Sequence, residues 1–170
     1  MSTETLYPDG ATFTLVNLTG AYTDVDDDPE TSASDADYLV ATDIDAVTAM
    51  LASFPTPTDD PTTGSGVQIM RLRLRLTQNA PQNLNWEIRE GTNVRQSGSV
   101  SVTSTSFAAY SIPWDAANLG TADGSLVALY VVGGQAVGAS KHAWECSALA
   151  WYETSGGAVE QGKPLLFWCG

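Results

Sequence analysis

Basic residues are absent from the first 70 positions of this 170-residue chain. Those positions hold 13 Asp or Glu and no Lys or Arg, whereas the rest of the chain holds 7 acidic and 7 basic residues, so the net charge of −13 lies entirely in the first part. A long stretch of one charge sign cannot be neutralised from within. It needs dispersal in solvent, screening by salt, a cationic partner or bound metal.

Cysteine and histidine, which build many metal centres and nucleophilic sites, are scarce. Cys146 and Cys169 are too few for a disulfide framework and lack the spacing of a zinc or redox motif. We expect two free thiols, with a disulfide between them left open. His142 is the only histidine, and no Ser lies in a Gly-x-Ser-x-Gly turn. The sequence therefore predicts no catalytic residues and a protein that is not an enzyme.

Clustered basic residues and long apolar runs are also lacking. Seven Lys and Arg in total cannot form the basic surface that binding to a phosphate backbone requires, which argues against nucleic acid as a partner. No apolar stretch approaches the roughly 20 residues needed to cross a bilayer, and no signal peptide is recognisable at the start. We expect a soluble protein with no membrane partner.

Alternation of apolar and polar residues is the dominant pattern outside the acidic stretch. Between residues 67 and 77, apolar residues alternate with Arg71, Arg73 and Arg75, as in a strand with one buried face. Eight or nine such segments favour an all-β fold, an antiparallel two-sheet sandwich of jelly-roll type with little helix. The other predicted strands cover residues 12–18, 38–41, 84–88, 94–102, 107–112 (stopped by Pro113), 126–132 and 144–152.

Three parts of the chain carry finer expectations. Residues 84–88 and 94–102 form a hairpin around Gly91. Residues 126–132 are continuously apolar, which predicts a central strand covered on both faces. Residues 46–54 fit a helix or a strand, and their Val and Thr content favours the strand.

A single domain is expected over residues 1–155, with an irregular loop at about 53–66 and a Gly-containing tail over 156–170. Close to its end, the tail has four consecutive large apolar residues. Their exposure to water would be unfavourable and would promote association. Either they complete the domain's own sheet, or they contact another subunit or a lattice, and both alternatives stay open. These residues are Leu165, Leu166, Phe167 and Trp168.

The acidic stretch contains a partial calcium-loop pattern. Residues 24–30 place carboxylates at positions one, three and five, and Asp35 falls at position twelve. Pro29 stands where the loop needs Gly, which excludes an EF-hand. A hydrated acidic loop is favoured, so no cofactor is predicted, and an irregular calcium site is left open as the less favoured alternative.

The row of Arg71, Arg73 and Arg75 also has two interpretations. Neighbours in the row are about 7 Å apart along the strand. We favour pairing with acids such as Glu87 or those of the Asp-rich segment, because opposite charges on neighbouring strands stabilise a sheet. The alternative is a docking stripe for the carboxylates of a partner subunit.

Trp114 is the candidate for an exposed aromatic ring that stacks on a sugar. It follows Pro113 in a predicted loop, and loops on rigid sheets often carry function. Trp86, Trp144 and Trp151 fall within strand patterns instead. We expect those three in the core, where most aromatic residues of strands lie.

The order of several motifs resembles small jelly-roll structural proteins of tailed double-stranded DNA viruses, including head decoration proteins. The matching motifs are LYPDG at 6–10, DVDDDP at 24–29, DADYL at 35–39, RLRLRL at 71–76 and LNWEIREG at 84–91. The resemblance covers residues 5–153 and leaves the tail unmatched. It supplies no catalytic residues.

This resemblance implies a non-enzymatic virion protein on the capsid surface. It would dock on the assembled shell, with the major capsid protein or other virion subunits as partners, as a homo-oligomer and often a trimer. The scarcity of Lys and the excess of Asp also resemble proteins of salt-loving hosts. The alternative function is a carbohydrate-binding jelly-roll module, either calcium-dependent or part of a virion's receptor-binding surface.

Overall fold

Strands and two short 3₁₀ turns make up the regular structure of the residues that the computed structural model describes, which are 3–31, 33–43, 47–58, 60–62, 67–78, 81–120, 126–133 and 143–154. The 3₁₀ turns cover Tyr22–Asp24 and Ala116–Asn118. No helix in these ranges is long and apolar enough to span a membrane. The strands are β1 (Thr3–Leu6), β2 (Phe13–Val16), β3 (Leu18–Thr19), β4 (Val40–Ala41), β5 (Ala49–Ser53), β6 (Val67–Leu76), β7 (Gln82–Glu90), β8 (Asn93–Val102), β9 (Ala108–Asp115), β10 (Val127–Val132) and β11 (Trp144–Thr154).

Nine of these strands form two antiparallel sheets. The four-stranded sheet has the order β1-β11-β6-β9, and the five-stranded sheet has the order β2-β5-β10-β7-β8. The two-residue strands β3 and β4 form a separate pair. The described residues therefore confirm the predicted all-β fold, an antiparallel two-sheet sandwich of jelly-roll type with little helix.

The core between the sheets follows the alternation in the sequence. The four apolar side chains at even positions of residues 70–76 are at most 1% exposed, while the arginines between them point to the other side of the sheet. Trp144 and Trp151 of β11 are fully buried and Trp86 of β7 is 7% exposed, which confirms their predicted place in the core. Full burial of a large apolar side chain contributes roughly 1.5–3 kcal/mol.

The predicted hairpin and the favoured strand over residues 46–54 are both confirmed. Strands β7 and β8 pair from Gln82 with Val102 to Glu90 with Asn93. Gly91 turns the chain between them at φ +58°, a left-handed conformation that glycine adopts without steric cost. The ambiguous segment contains β5, so the favoured strand is confirmed, although Val47 and Thr48 directly precede it.

Strand β9 runs further than the sequence predicts. The expected stop at Pro113 is wrong, because the strand continues to Asp115 and Pro113 pairs in register with Ile69 of β6. β9 lies at the edge of the four-stranded sheet, where a residue without an N–H group is tolerated.

Strand β10 is central in its sheet, as predicted, but it is not buried on both faces as the sequence predicts. It lies between β5 and β7. Val127, Leu129 and Val131 are buried, whereas Tyr130 and Val132 on the opposite face are only partly buried. One face of this apolar strand is therefore accessible.

The acidic stretch is built into the sandwich. β1 pairs with only the last four residues of β11, from Trp151 to Thr154. Further along β11, Leu149 N–H donates to the Val25 carbonyl and Leu39 N–H donates to the Cys146 carbonyl, both at 2.8 Å. Val25 and Leu39 are fully buried. The stretch thus contributes backbone pairing and core contacts besides its charges.

The remaining expectations concern the loop and the tail. Residues 54–58 and 60–62 contain no strand or helix, as predicted for the irregular loop. The tail over 156–170 lies outside the described residues, so the domain boundary and the contacts of Leu165, Leu166, Phe167 and Trp168 stay predictions.

Candidate functional site

The three arginines of β6 are paired within the chain. The pairs are Arg71 with Glu30, Arg73 with Asp35, and Arg75 with Glu145. The Arg73 pair is bidentate, with 2.8 Å from Nε to one Asp35 oxygen and 3.0 Å from Nη2 to the other. This confirms the favoured interpretation that nearby acids, including those of the Asp-rich segment, neutralise the row. Glu87, named as a possible partner, is wrong, because it pairs with Arg89 on the other sheet. A docking stripe stays a prediction, and a partner's carboxylates would have to displace these pairs.

Ion pairs and hydrogen bonds hold part of the acidic stretch against the four-stranded sheet. The hydrogen bond from Arg73 holds the pKa of Asp35 below its usual range. Tyr152 donates its hydroxyl to Asp28 Oδ1 at 2.5 Å. Burial, and then this hydrogen bond, raises the pKa of Tyr152. The Arg71 guanidinium carbon lies 4.9 Å from the Tyr152 ring centre, so the same tyrosine contacts both charge signs.

The carboxylates of the calcium-loop pattern point to different partners. Asp24 accepts the Ala21 N–H at 2.8 Å, and Asp27 accepts the Ser34 N–H at 3.0 Å. Asp28 meets Tyr152. In the part of the chain that the structure describes, no group of three or more His, Cys, Asp or Glu is arranged to hold a metal ion. A calcium site therefore stays a prediction without an assembled set of ligands there.

The prediction that Trp114 is an exposed loop residue is wrong. Trp114 lies in β9, is 2% exposed, and its ring centre is 5.5 Å from that of Trp151. Because the strand continues through Pro113, its alternation turns Trp114 towards the core. The ring is not accessible to a sugar in this structure.

Cys146 is a buried free thiol in β11. Burial raises its pKa to about 12. This confirms the prediction for one of the two cysteines. Cys169 and His142 lie outside the described residues.

The outward side of the five-stranded sheet carries a surface that the sequence did not reveal. Register places Leu51, Tyr130 and Glu87 in one row across β5, β10 and β7. Asn85 and Ser99 pair further along β7 and β8, and both are exposed. We call this surface the open face. Its residues are Thr14, Val16, Ala49, Leu51, Ser53, Asn83, Asn85, Glu87, Arg89, Val94, Ser97, Ser99, Ser101, Ala128, Tyr130 and Val132.

Three side chains form a fixed group at the centre of the open face. The guanidinium carbon of Arg89 lies 4.2 Å from the ring centre of Tyr130. Arg89 is held there by Glu87, with 2.7 Å from Nε and 2.6 Å from Nη2 to Oε2. Ring stacking and the ion pair together orient the arginine.

The open face differs in charge from the molecule that carries it. Its residues include one acid, Glu87, and one base, Arg89, and these neutralise each other. Its other residues are hydroxyl, amide or apolar side chains. The open face is therefore neutral in a chain of net charge −13.

A cleft of about 250 Å³ adjoins the open face. Leu51, Ser53 and Ala128 belong to both, so the two surfaces are continuous. The cleft is lined by Asp9, Ala11, Thr12, Leu51, Ser53, Phe54, Pro55, Thr56, Gly91, Leu126 and Ala128. We call it the end cleft, because β5 ends at Ser53 within it.

Hydrogen bonds hold the polar side of the end cleft in place. Ser53 Oγ donates to Asp9 Oδ1 at 2.7 Å and accepts the Thr12 N–H at 2.8 Å. The Ala11 N–H donates to the same Asp9 oxygen at 2.9 Å. One carboxylate and one hydroxyl are thus fixed beside apolar walls.

Sequence reasoning missed this site for identifiable reasons. Tyr130 is embedded in an apolar run that predicts cover on both faces. The end cleft joins residues that are far apart along the chain, such as Asp9, Ser53 and Leu126. One signal was available: Asn83 and Asn85 of β7 and Ser97, Ser99 and Ser101 of β8 recur at alternate positions, which marks an outer face with few charges.

No family model and no curated protein matches this chain. Among solved structures, it is similar to a family 35 carbohydrate-binding module from Clostridium thermocellum, with a TM-score of 0.49 and 10% identity over 91% of this chain and 100% of that one. It is also similar to a family 29 carbohydrate-binding module from Piromyces equi, with a TM-score of 0.43 and 13% identity over 96% of this chain and 97% of that one.

Proposed function

We propose that this chain is a non-enzymatic carbohydrate-binding module that binds a neutral glycan on its open face. The observation that carries the proposal is the neutral open face, with Tyr130 at its centre, in a chain of net charge −13. An uncharged ligand gains no attraction from charge, so it needs a surface that combines apolar area with neutral hydrogen-bonding groups. The open face has that composition.

The side chains suit the two kinds of surface that a sugar presents. Leu51 and the uncovered part of the Tyr130 ring can contact the apolar C–H faces of a sugar ring. Asn85 and Ser99 carry an amide and a hydroxyl that both donate and accept hydrogen bonds, as sugar hydroxyls do. Convergent polar groups around an apolar centre are typical of sites for small organic ligands.

Charge favours neutral over acidic glycans. The one cation of the open face, Arg89, is already paired with Glu87. The remainder of the molecule repels anions over a Debye length of about 10 Å at 0.1 M salt. Uronate or sulfate groups would therefore lower the affinity.

Binding of Tyr130→Ala to a panel of neutral and acidic polysaccharides tests the proposal. We expect wild-type protein to bind at least one neutral glycan by calorimetry, and the variant to bind it about tenfold more weakly, a loss of about 1.4 kcal/mol. Tyr38→Ala is the matched control, because Tyr38 also packs against an arginine, with 4.6 Å from its ring centre to the Arg75 guanidinium carbon. Arg75 belongs to β6 of the four-stranded sheet, away from the open face.

The control should bind like wild type. Two results would contradict the proposal: a folded protein that binds no glycan of the panel, or equal losses in both tyrosine variants.

The virion resemblance stays a separate prediction. A capsid decoration protein should co-sediment with particles stripped of it and restore their resistance to heat, because it binds the assembled shell and not the free subunit. Arg71, Arg73 and Arg75 are engaged within the chain, so docking through them would require a partner's carboxylates to displace these pairs. Glycan binding without co-sedimentation would favour the carbohydrate-binding module.

A further inference from the structure

The end cleft contains a carboxylate that is fixed in position and still able to bind. The Oδ1 atom of Asp9 accepts hydrogen bonds from Ala11 and Ser53. No donor among the described residues contacts its Oδ2 atom. A carboxylate oxygen accepts hydrogen bonds only, so the group suits a ligand that brings hydroxyl donors. Because Asp9 is already oriented, binding costs little further ordering.

The lining of the end cleft also includes a leucine with an unfavourable backbone conformation. Leu126 has φ +66°, in the left-handed region that residues with a Cβ rarely adopt. The residue is 66% exposed. The Gly91 N–H donates to the Leu126 carbonyl at 3.0 Å and holds the backbone there. Glycine would meet the same backbone requirement without strain, so an exposed apolar side chain at this position points to a contact that the side chain makes.

The size and the outline of the cleft limit its occupant. Its volume of about 250 Å³ is below the roughly 300–1,000 Å³ of pockets that enclose drug-sized ligands, so it suits one small ring. Leu51 and Ala128 connect it to the open face, while Pro55 and Thr56 line it beyond the end of β5. A chain that lies along the open face can therefore place its terminal residue in this cleft.

We propose that the end cleft binds the terminal residue of a neutral glycan chain, with adjacent sugar hydroxyls donating to Asp9 and an apolar ring face against Leu126. This inference rests on the proposed function and adds that the protein recognises chain ends. A terminal carboxylate or sulfate would face Asp9, the one charged residue among the described residues of the lining, so a neutral sugar is favoured.

Chain length distinguishes end recognition from binding along a chain. The probes are short and long chains of one neutral glycan that wild-type protein binds. End recognition predicts that the number of proteins bound per chain does not rise with chain length. A stoichiometry that grows with length would overturn this inference and leave the proposed function intact, whereas absence of binding to every glycan would overturn both.

Leu126→Gly gives a second, independent test. Loss of the side chain should weaken binding of the short glycan about tenfold. The melting temperature should not fall, because glycine relieves the backbone strain. Asn17→Gly is the matched control, since Asn17 has φ +52° and does not line the cleft. Its glycan affinity should equal that of wild type. Unchanged affinity in Leu126→Gly would overturn the role of this residue.

Asp9→Asn tests the carboxylate. The amide keeps the size and one acceptor oxygen, but it loses the negative charge and one acceptor. We expect an affinity about tenfold lower for the short neutral glycan. Unchanged affinity would overturn the role of Asp9, as would tighter binding, because it would mean that the charge opposes the ligand.

Discussion

At the scale of single residues, the face of the sheet on which a strand residue lies decides whether it packs in the core or is accessible to a ligand. Trp114 and Tyr130 are both aromatic residues of strands. Trp114 faces the core because β9 continues through Pro113, whereas Tyr130 faces outwards from β10. A shift of one residue in strand phase exchanges the two faces. The functional candidate is therefore the tyrosine inside the apolar run and not the tryptophan of the expected loop.

Cys146 should resist thiol reagents until the protein unfolds. Its pKa is raised to about 12 by burial, and only the thiolate reacts. At pH 8 the thiolate fraction in the folded protein is on the order of a thousandfold below that of an exposed cysteine of pKa about 8.5. Labelling of Cys169→Ser with a disulfide reagent, with and without denaturant, measures this ratio. Rapid labelling of the folded protein would show that β11 opens locally.

At the scale of elements, the acidic stretch forms backbone hydrogen bonds with β11 and supplies acidic partners for the arginines of β6. Val25 and Leu39 bond to the β11 backbone beyond the reach of β1. Asp35 and Glu30 then meet the arginines of β6. Backbone pairing and charge pairing thus hold the same segment, so removal of one acid should weaken it without detaching it.

Acid should remove the contribution of the Asp35 pair. The folded-state pKa of Asp35 lies below its usual value, so the pair stabilises the fold fully above the unfolded pKa of about 3.9 and progressively less as pH falls through the folded pKa. The side chain is 52% exposed, so we expect a contribution of only about 0.2–1 kcal/mol. Urea unfolding of wild type and Asp35→Asn from pH 7 to pH 2.5 measures it.

The two unfolding curves should differ at neutral pH and converge in acid. Asp37→Asn is the control: Asp37 has no side-chain partner among the described residues, so its variant should not lose stability at neutral pH. A constant difference between Asp35→Asn and wild type at every pH would contradict the assignment.

At the scale of the whole molecule, period-two patterns predicted the fold but not the candidate site. Strand β6, the hairpin and the core tryptophans follow from alternation, because a half-buried strand must separate apolar from polar side chains. The sequence predicted that Arg73 pairs with an acid but did not identify Asp35. Opposite charge shows which residue types can pair, but it does not show which residues lie next to each other in the fold. The end cleft could not be predicted, because Asp9, Ser53 and Leu126 meet only after the sheets have paired.

The net charge of −13 should make the protein more stable in salt. Salt weakens the arginine pairs slightly, but it screens a larger excess of like charges, and the Debye length falls from about 10 Å at 0.1 M to about 3 Å at 1 M. We expect the melting temperature to rise between 0.05 and 1 M NaCl. Asp37→Lys lowers the negative charge by two, so it should melt higher than wild type at low salt and respond less to added salt. A melting temperature that falls with salt would show that the arginine pairs outweigh the repulsion.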